Sequence, residues 1–192
     1  MKNKLFSDTD GIIEVSKVLD ANVTKDVFYK FVRDNAYDRV GPGMYVSPNE
    51  IVDELLVLHK RCPNGVISHD EALYHYELID REPVEHTITV YSGYNASRLR
   101  SSGYKVYYVD RKLLSLGKID VTSSFGNIIP MYDLERTIVD VIRNRSQFEI
   151  QDFNTALKEY IRRVDKNLIK LAEYAKAFRV DKVLQKYLEV LL

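Results

Sequence analysis

Apolar and polar residues alternate in three different rhythms along the chain, and each rhythm predicts a different kind of element. Between residues 12 and 46 the apolar positions come in short clusters. Ile12-Ile13, followed by Val15, Val18 and Leu19, predicts a short strand and a supporting helix over Glu14 to Leu19, closed by a turn at Asn22. Thr24 is placed to N-cap a second helix over Lys25 to Asn35. In that helix Val27, Phe28, Phe31 and Val32 share one face, leaving Lys25, Tyr29, Lys30 and Arg33 on the other. Arg39 to Val46 reads as two extended arms around Gly41-Pro42-Gly43, the composition of a tight hairpin. Strand, two helices and hairpin in this order predict a winged helix-turn-helix.

Ser47-Pro48-Asn49 reads as a junction, with Pro48 in the first turn of a helix over Glu50 to Lys60 whose buried stripe is Ile51, Val52, Leu55 and Leu58. Cys62-Pro63-Asn64-Gly65 ends that helix, and Val66-Ile67 predicts a short buried strand. Ser68 with Glu71 three residues on has the spacing of a capping box, which predicts a helix through Leu78 with Ala72, Leu73 and Tyr76 inward. The rhythm then shortens to β-branched and aromatic runs at Thr87 to Tyr91, Tyr104 to Val109, Val121-Thr122 and Ile128-Ile129. These predict a small mixed sheet whose strand order the pattern does not fix. Lys112 to Leu116 is left undetermined. From Asp133 the spacing becomes helical: Leu134, Ile138, Val141 and Ile142, then Phe153 to Val164, then Leu168 to Ala175, then Val183 to Leu191, predicting four helices.

The expected class is therefore α+β: a winged helix-turn-helix over 1–47, then a mixed α/β domain over 48–192 ending in a helical cluster. At 192 residues with 45% hydrophobic content the chain can bury a sizeable core. The segment Met1 to Asp10 has no signal-peptide apolar core and no later run approaches membrane-spanning length, so a cytoplasmic protein without a membrane partner is expected. Cys62 is the only cysteine, which excludes an intrachain disulfide and a cysteine zinc cluster. The formal net charge is zero, and residues 1–47 carry seven Lys/Arg against seven Asp/Glu. Attraction to DNA must then come from the local arrangement of charges, and calls for two copies or a second basic surface. Residues 156–186, by contrast, hold nine Lys/Arg against four Asp/Glu.

Three landmarks occur in a particular order. They are the hairpin ending Gly43-Met44-Tyr45, then Ile67-Ser68-His69-Asp70-Glu71-Ala72-Leu73, then Tyr132-Asp133-Leu134-Glu135-Arg136-Thr137-Ile138-Val139-Asp140. In that combination the chain resembles the AbiEi family of bacterial abortive-infection antitoxins over nearly its whole length. The resemblance implies a phage-defence antitoxin of the type IV class. Its amino-terminal winged helix would bind inverted repeats in its own promoter, and its carboxyl-terminal domain would counteract a cognate nucleotidyltransferase-like toxin without requiring a stable complex. It also implies a further helix of the winged unit within Met1 to Asp10.

On this reading operator DNA is the first partner, bound by a chain that is a monomer in solution or a dimer on DNA. Thr24, Lys25, Tyr29, Lys30, Arg33, Arg39, Gly41 and Gly43 are the candidate contacts: cations for phosphates, Tyr29 for sugar or base edges, the glycines for the wing tip. Arg98, Arg100, Lys105, Arg111 and Lys112 cluster around the predicted strands. Lys158, Arg162, Lys166 and Lys170 recur at intervals of four, a spacing that would line them along one helix side; both groups are either solvated faces or a partner surface. The alternative function is an interaction module that neutralises a partner through the basic carboxyl-terminal domain and uses the winged helix only for assembly.

Enzymatic chemistry ranks last. Ser68, His69 and Asp70 are the residue types of a hydrolase triad, but three successive side chains are not expected to face one another, so helix capping is preferred. His59, His75 and His86 lack metal-ligand spacing and are expected to be solvated or at the core edge. The Glu135-Arg136-Thr137 and Asp140 motif reads as a helix start capped by Asp133, since Ser123-Ser124-Phe125-Gly126-Asn127 is too poor in glycine to cradle the phosphate that Arg136 would otherwise bind. No catalytic residue, metal or cofactor is assigned.

Overall fold

A computed structural model describes residues 11–191. The helix expected within Met1 to Asp10 lies outside them. The chain is α+β with two separate sheets and divides into two compact units. One comprises the chain up to Pro63 together with Thr122–Ile128; the other comprises the remainder. The first unit thus continues past the Ser47 to Asn49 junction.

The first unit begins with β1 (Ile12–Glu14), α1 (Val15–Asp20), α2 (Lys25–Asp34), β2 (Asp38–Gly41) and β3 (Met44–Val46). The three strands form an antiparallel sheet in the order β1-β3-β2, with Ile12 opposite Val46 and Asp38 opposite the same residue from the other side. A bulge between Arg39 and Gly41 bends the hairpin, and Gly43 turns it at φ +71°, a backbone region that a side chain disfavours. Ile13, Val18, Phe28 and Val32 make the core, with Val15, Phe31, Tyr37 and Tyr45 packed around it. Val27, expected inward, is 55% exposed, so the buried face of α2 is narrower than its apolar content suggests. Thr24 holds the N-cap position, but its hydroxyl makes no capping bond.

The helix expected from Glu50 starts later, as α3 (Glu54–Arg61). Pro48 lies in a turn closed by Glu50 N–H on the Ser47 carbonyl (3.0 Å), and Ile51 is exposed. The cap is Asp53, whose Oδ1 accepts from Leu56 N–H at 3.0 Å. Its other oxygen accepts from Ser123 Oγ (2.6 Å) and Asn127 Nδ2 (2.8 Å), which ties Thr122–Ile128 to the first unit.

The second unit carries a five-stranded mixed sheet in the order β6-β5-β4-β8-β7: β4 (Val66–Ile67), β5 (Thr87–Tyr91), β6 (Lys105–Val109), β7 (Lys118–Thr122) and β8 (Ile128–Tyr132). β4 runs antiparallel to β5 and parallel to β8, while β5 and β6 are parallel. Short helices α4 (Asp70–His75) and α5 (Ser97–Arg100) leave the sheet, and Arg111–Leu113 is a single 3₁₀ turn. The carboxyl-terminal end is α6 (Leu134–Arg143), α7 (Ile150–Arg162), α8 (Leu168–Ala177) and α9 (Asp181–Leu191). α6 is the hub: Leu134 through Ile142 are all buried, and α7, α8 and α9 pack on it. A helix buried all round must also bury its polar residues, and here those are Glu135, Arg136, Thr137 and Asp140.

Arg136 and Asp140, both buried, meet through Nε and Oδ2 at 3.0 Å. The guanidinium also donates to the carbonyls of Leu113 (3.0 Å) and Leu116 (2.5 Å), and it lies over the rings of Tyr132 and Phe178. Asp133 caps the helix through Arg136 N–H at 2.8 Å. Gly117 closes this site: at φ +76°, a Cβ there would stand 2.6 Å from Arg136 Cβ.

Candidate nucleic-acid interface

In the first unit the cations and the hairpin are presented by rigid elements. α2 buries Phe28 and Val32, and the three-to-four-residue spacing of those anchors turns Lys25, Tyr29, Lys30 and Arg33 outward. All four are exposed. Tyr29, 46% exposed, is held edge-on by Phe28 (ring centroids 5.4 Å apart) and Tyr45 (6.4 Å), so its ring is fixed on the surface. Arg39 is exposed at the bulge, where its Nε donates to the Gly41 carbonyl at 3.2 Å. Gly43 accepts from Val15 N–H at 2.9 Å, which fastens the hairpin tip to the start of α1. Thr24 is exposed at the start of α2.

Acidic groups are interleaved with these cations. Asp26 and Asp34 share the helix, and Arg33 Nε lies 3.7 Å from Asp34 in a pair that is largely solvated on both sides. An exposed pair of that length holds the guanidinium weakly, so Arg33 can exchange its partner for a phosphate.

The residues expected to form a second basic surface are dispersed. Lys158 and Arg162 lie on α7, Lys166 in the segment after it and Lys170 on α8, so spacing by four does not give a single stripe. The helix stops at Arg163, whose guanidinium holds Asp165 (2.8 Å) and reaches the Tyr76 carbonyl (2.8 Å). Arg162 pairs with Glu159 (2.6 Å), Lys166 donates to the Arg163 carbonyl (2.8 Å), and Lys170 pairs with Asp133 (2.9 Å). Around the sheet, Lys105 pairs with Asp70 (3.2 Å), Arg100 lies over Tyr108 and Arg111 over Tyr91. Arg98 and Lys112 are exposed. Several of these side chains are tied into the fold by carboxylates, carbonyls or rings.

The Ser68 segment departs most from expectation. Ser68 does not cap α4; the cap position is His69, at φ +55°, whose own side chain makes no capping bond, and Thr87 Oγ1 on β5 accepts from Glu71 N–H at 3.1 Å instead. Glu71 does not complete a capping box either, because it pairs with His86 across the neighbouring strand. The adjacent Ser68 and His69 do face each other: His69 Nδ1 lies 2.9 Å from Ser68 Oγ, which lies 2.8 Å from Thr89 Oγ1. The positive φ swings the imidazole back over its neighbour, a geometry that ordinary backbone would not give. On the other side Asn144 Nδ2 lies 2.9 Å from His69 Nε2 and 3.1 Å from the Asp140 carbonyl. A carbonyl only accepts, so the amide nitrogen faces both groups and Nε2 is the acceptor. The proton is therefore on Nδ1, which donates to Ser68. Burial, with Arg143, Arg136 and Lys105 nearby, pushes the imidazole well below its usual range, so it stays neutral. The ring stacks on Tyr107 with centroids 3.4 Å apart.

Ser68 and His69 are each 0% exposed, so no reacting atom meets solvent. The arrangement locks the start of α4 to β5 and to the end of α6. The buried Arg136 is 0% exposed; its Nε and Nη1 are bonded within the fold while Nη2 has no hydrogen-bond partner among the described residues, and none of it meets solvent where a phosphate could bind. No group of His, Cys, Asp and Glu among the described residues has the geometry to hold a metal, and no helix among them is long and apolar enough to cross a membrane.

No family model and no curated protein matches this chain. Among solved structures it is similar to the crystal structure of the RV2827C protein from Mycobacterium tuberculosis. The TM-score is 0.63 at 15% identity, covering 91% of this chain and 69% of that one. At that identity the likeness is one of fold.

Proposed function

We propose that β1, α1, α2 and the β2-β3 hairpin are a winged helix-turn-helix that binds duplex DNA, and that the protein is the autoregulating antitoxin its AbiEi resemblance implies. The carrying observation is α2 itself. One face is anchored by Phe28 and Val32, while Lys25, Tyr29, Lys30 and Arg33 stand exposed on the other, beside a hairpin bearing Arg39. A recognition helix needs this division, because it must hold its own domain with one side and enter the major groove with the other. Lys30 and Arg33 neutralise phosphates, Tyr29 packs on sugar or base edges, and the Gly41 to Gly43 tip runs along the flanking backbone. Since residues 1–47 carry no net charge, two copies on adjacent half-sites supply the affinity. In this reading the second unit opposes the nucleotidyltransferase-like toxin.

The test is a fluorescence-anisotropy titration of the chain's own upstream DNA against a scrambled duplex at several salt concentrations. The Lys30→Ala/Arg33→Ala variant should bind more weakly. Its log K against log salt should flatten by about 1.8, at about 0.9 for each phosphate no longer neutralised. An unchanged affinity and slope would remove α2 from the interface. For the antitoxin arm, co-expression of the chain with the toxin encoded beside it should restore growth, and continued arrest would refute that assignment.

A further inference from the structure

A groove of about 600 Å³ runs along the outer side of the carboxyl-terminal helices. Its apolar lining comes from Leu157 on α7 and from Val183, Tyr187 and Val190 on α9, the last three spaced as one helical face. Tyr187 is fixed there by an edge-on contact with Phe153 (5.2 Å between centroids), so the floor is rigid. Val190 is 84% exposed, an apolar side chain that nothing in the unit covers. Arg145, Lys158 and Lys186 complete the charged part of the lining, and no acidic side chain among the described residues lines it. None of these three cations is paired with a carboxylate among the described residues, unlike Arg162, Arg163 and Lys170, which are held by Glu159, Asp165 and Asp133.

We propose that this groove docks an amphipathic helix of a partner protein that carries acidic residues beside its apolar anchors. Apolar lining set among unpaired cations complements that chemistry twice: the anchors bury Val190 and Leu157, and the carboxylates meet charges the fold leaves open. The three cations come from three places in the chain, Arg145 before α7, Lys158 on α7 and Lys186 on α9, so a helix carrying several acidic residues complements more of them than a single headgroup does. Nucleic acid would satisfy the cations but leave the aliphatic lining against a charged backbone.

The protein contains no tryptophan, so a peptide carrying one Trp is the sole indole emitter in the sample. A library of helical peptides displayed against the full chain should enrich sequences with Glu or Asp beside Leu, Ile or Phe, and a Trp-tagged member should shift its emission on binding. Lys158→Glu/Lys186→Glu should weaken that peptide at least tenfold, and a peptide with Lys at the acidic positions should bind the reversed variant in its place. Val190→Asp should weaken both peptides. Unchanged circular dichroism and melting would separate loss of docking from loss of fold. The proposal fails if no clone is enriched, if enriched clones lack acidic residues, or if charge reversal leaves binding unaltered. It fails equally if dodecanoate or a 20-base-pair duplex displaces the peptide at lower concentration than an unlabelled copy does.

Discussion

Removing the Arg136 side chain tests most directly whether the Glu135 to Asp140 motif acts as structure. The guanidinium and the Asp140 carboxylate have side-chain exposures of 0% and 1%, so Arg136→Met strands a carboxylate in the core. Its nearest remaining cation is Arg143 Nη1 at 3.6 Å from the other oxygen. Breaking a buried pair from one side costs about 3–5 kcal/mol. Asp140→Leu, which leaves the guanidinium uncompensated, should cost a similar amount for the same reason. In Arg136→Met/Asp140→Leu neither charge of the buried pair is left over; the residual loss is that of the bonds to the Leu113 and Leu116 carbonyls, about 2 kcal/mol at about 1 kcal/mol each, together with the 3.6 Å contact of the part-exposed Arg143. The double variant should therefore be more stable than either single one. Burial already holds the Asp140 carboxyl above its usual range. A raised folded-state value means that protonation favours the fold, so Arg136→Met should lose less stability at pH 4.5 than at pH 7. Urea unfolding followed by circular dichroism gives the totals, and amide exchange of Leu134–Arg143 locates the loss in the second unit. Additive single effects, or a loss below about 1 kcal/mol for Arg136→Met, would refute the structural assignment.

Other outcomes follow from the same geometry. Gly117→Ala should cost about 2–4 kcal/mol, combining a positive φ with a Cβ driven into Arg136, and a midpoint of urea unfolding within error of wild type would contradict it. Asp53→Ala removes the α3 cap and the acceptor of Ser123 and Asn127, so about 1–3 kcal/mol should be lost, with Asp53→Asn recovering part of it in thermal melts. His69 is held below its usual range, so the unfolded chain takes up a proton first as pH falls. Stability should be full above about pH 6.5 and decline by up to about 1.4 kcal/mol per pH unit below it, toward the folded-state value. His69→Gln should remove that component of the slope between pH 6.5 and 5 in urea titrations, and an identical slope would show that the imidazole takes up its proton as readily in the fold as in the unfolded chain.

Legibility in the sequence tracked the distance to each residue's partner. Asp133 was readable as a cap because the N–H it accepts from lies three residues on, and the four terminal helices were readable because the apolar residues of each recur at helical spacing, even in α6, which is buried all round. Ser68 and Glu71 have cap spacing, yet Thr89 on the adjacent strand and His86 just before it compete for them and win. The start of α3 moved from Glu50 to Glu54, behind the cap Asp53, whose carboxylate Ser123 and Asn127, distant in the chain, hold in place. The run from Lys158 to Lys170 keeps a four-residue period in sequence, but the long-range bond from Arg163 to the Tyr76 carbonyl accompanies the end of the helix inside it.

The amino-acid order alone determined the α+β composition, the division of α2 into an anchored and a charged side, and the four closing helices. These are set by side-chain periodicity and by hydrogen bonds that reach no further than one turn. Folding in three dimensions decided the strand order, the strained backbone at His69, the burial of Arg136 with Asp140, and which cations are paired and which line an apolar groove. Those outcomes depend on groups brought together from distant parts of the chain, where desolvation makes every buried donor and charge seek the partner that packing places beside it.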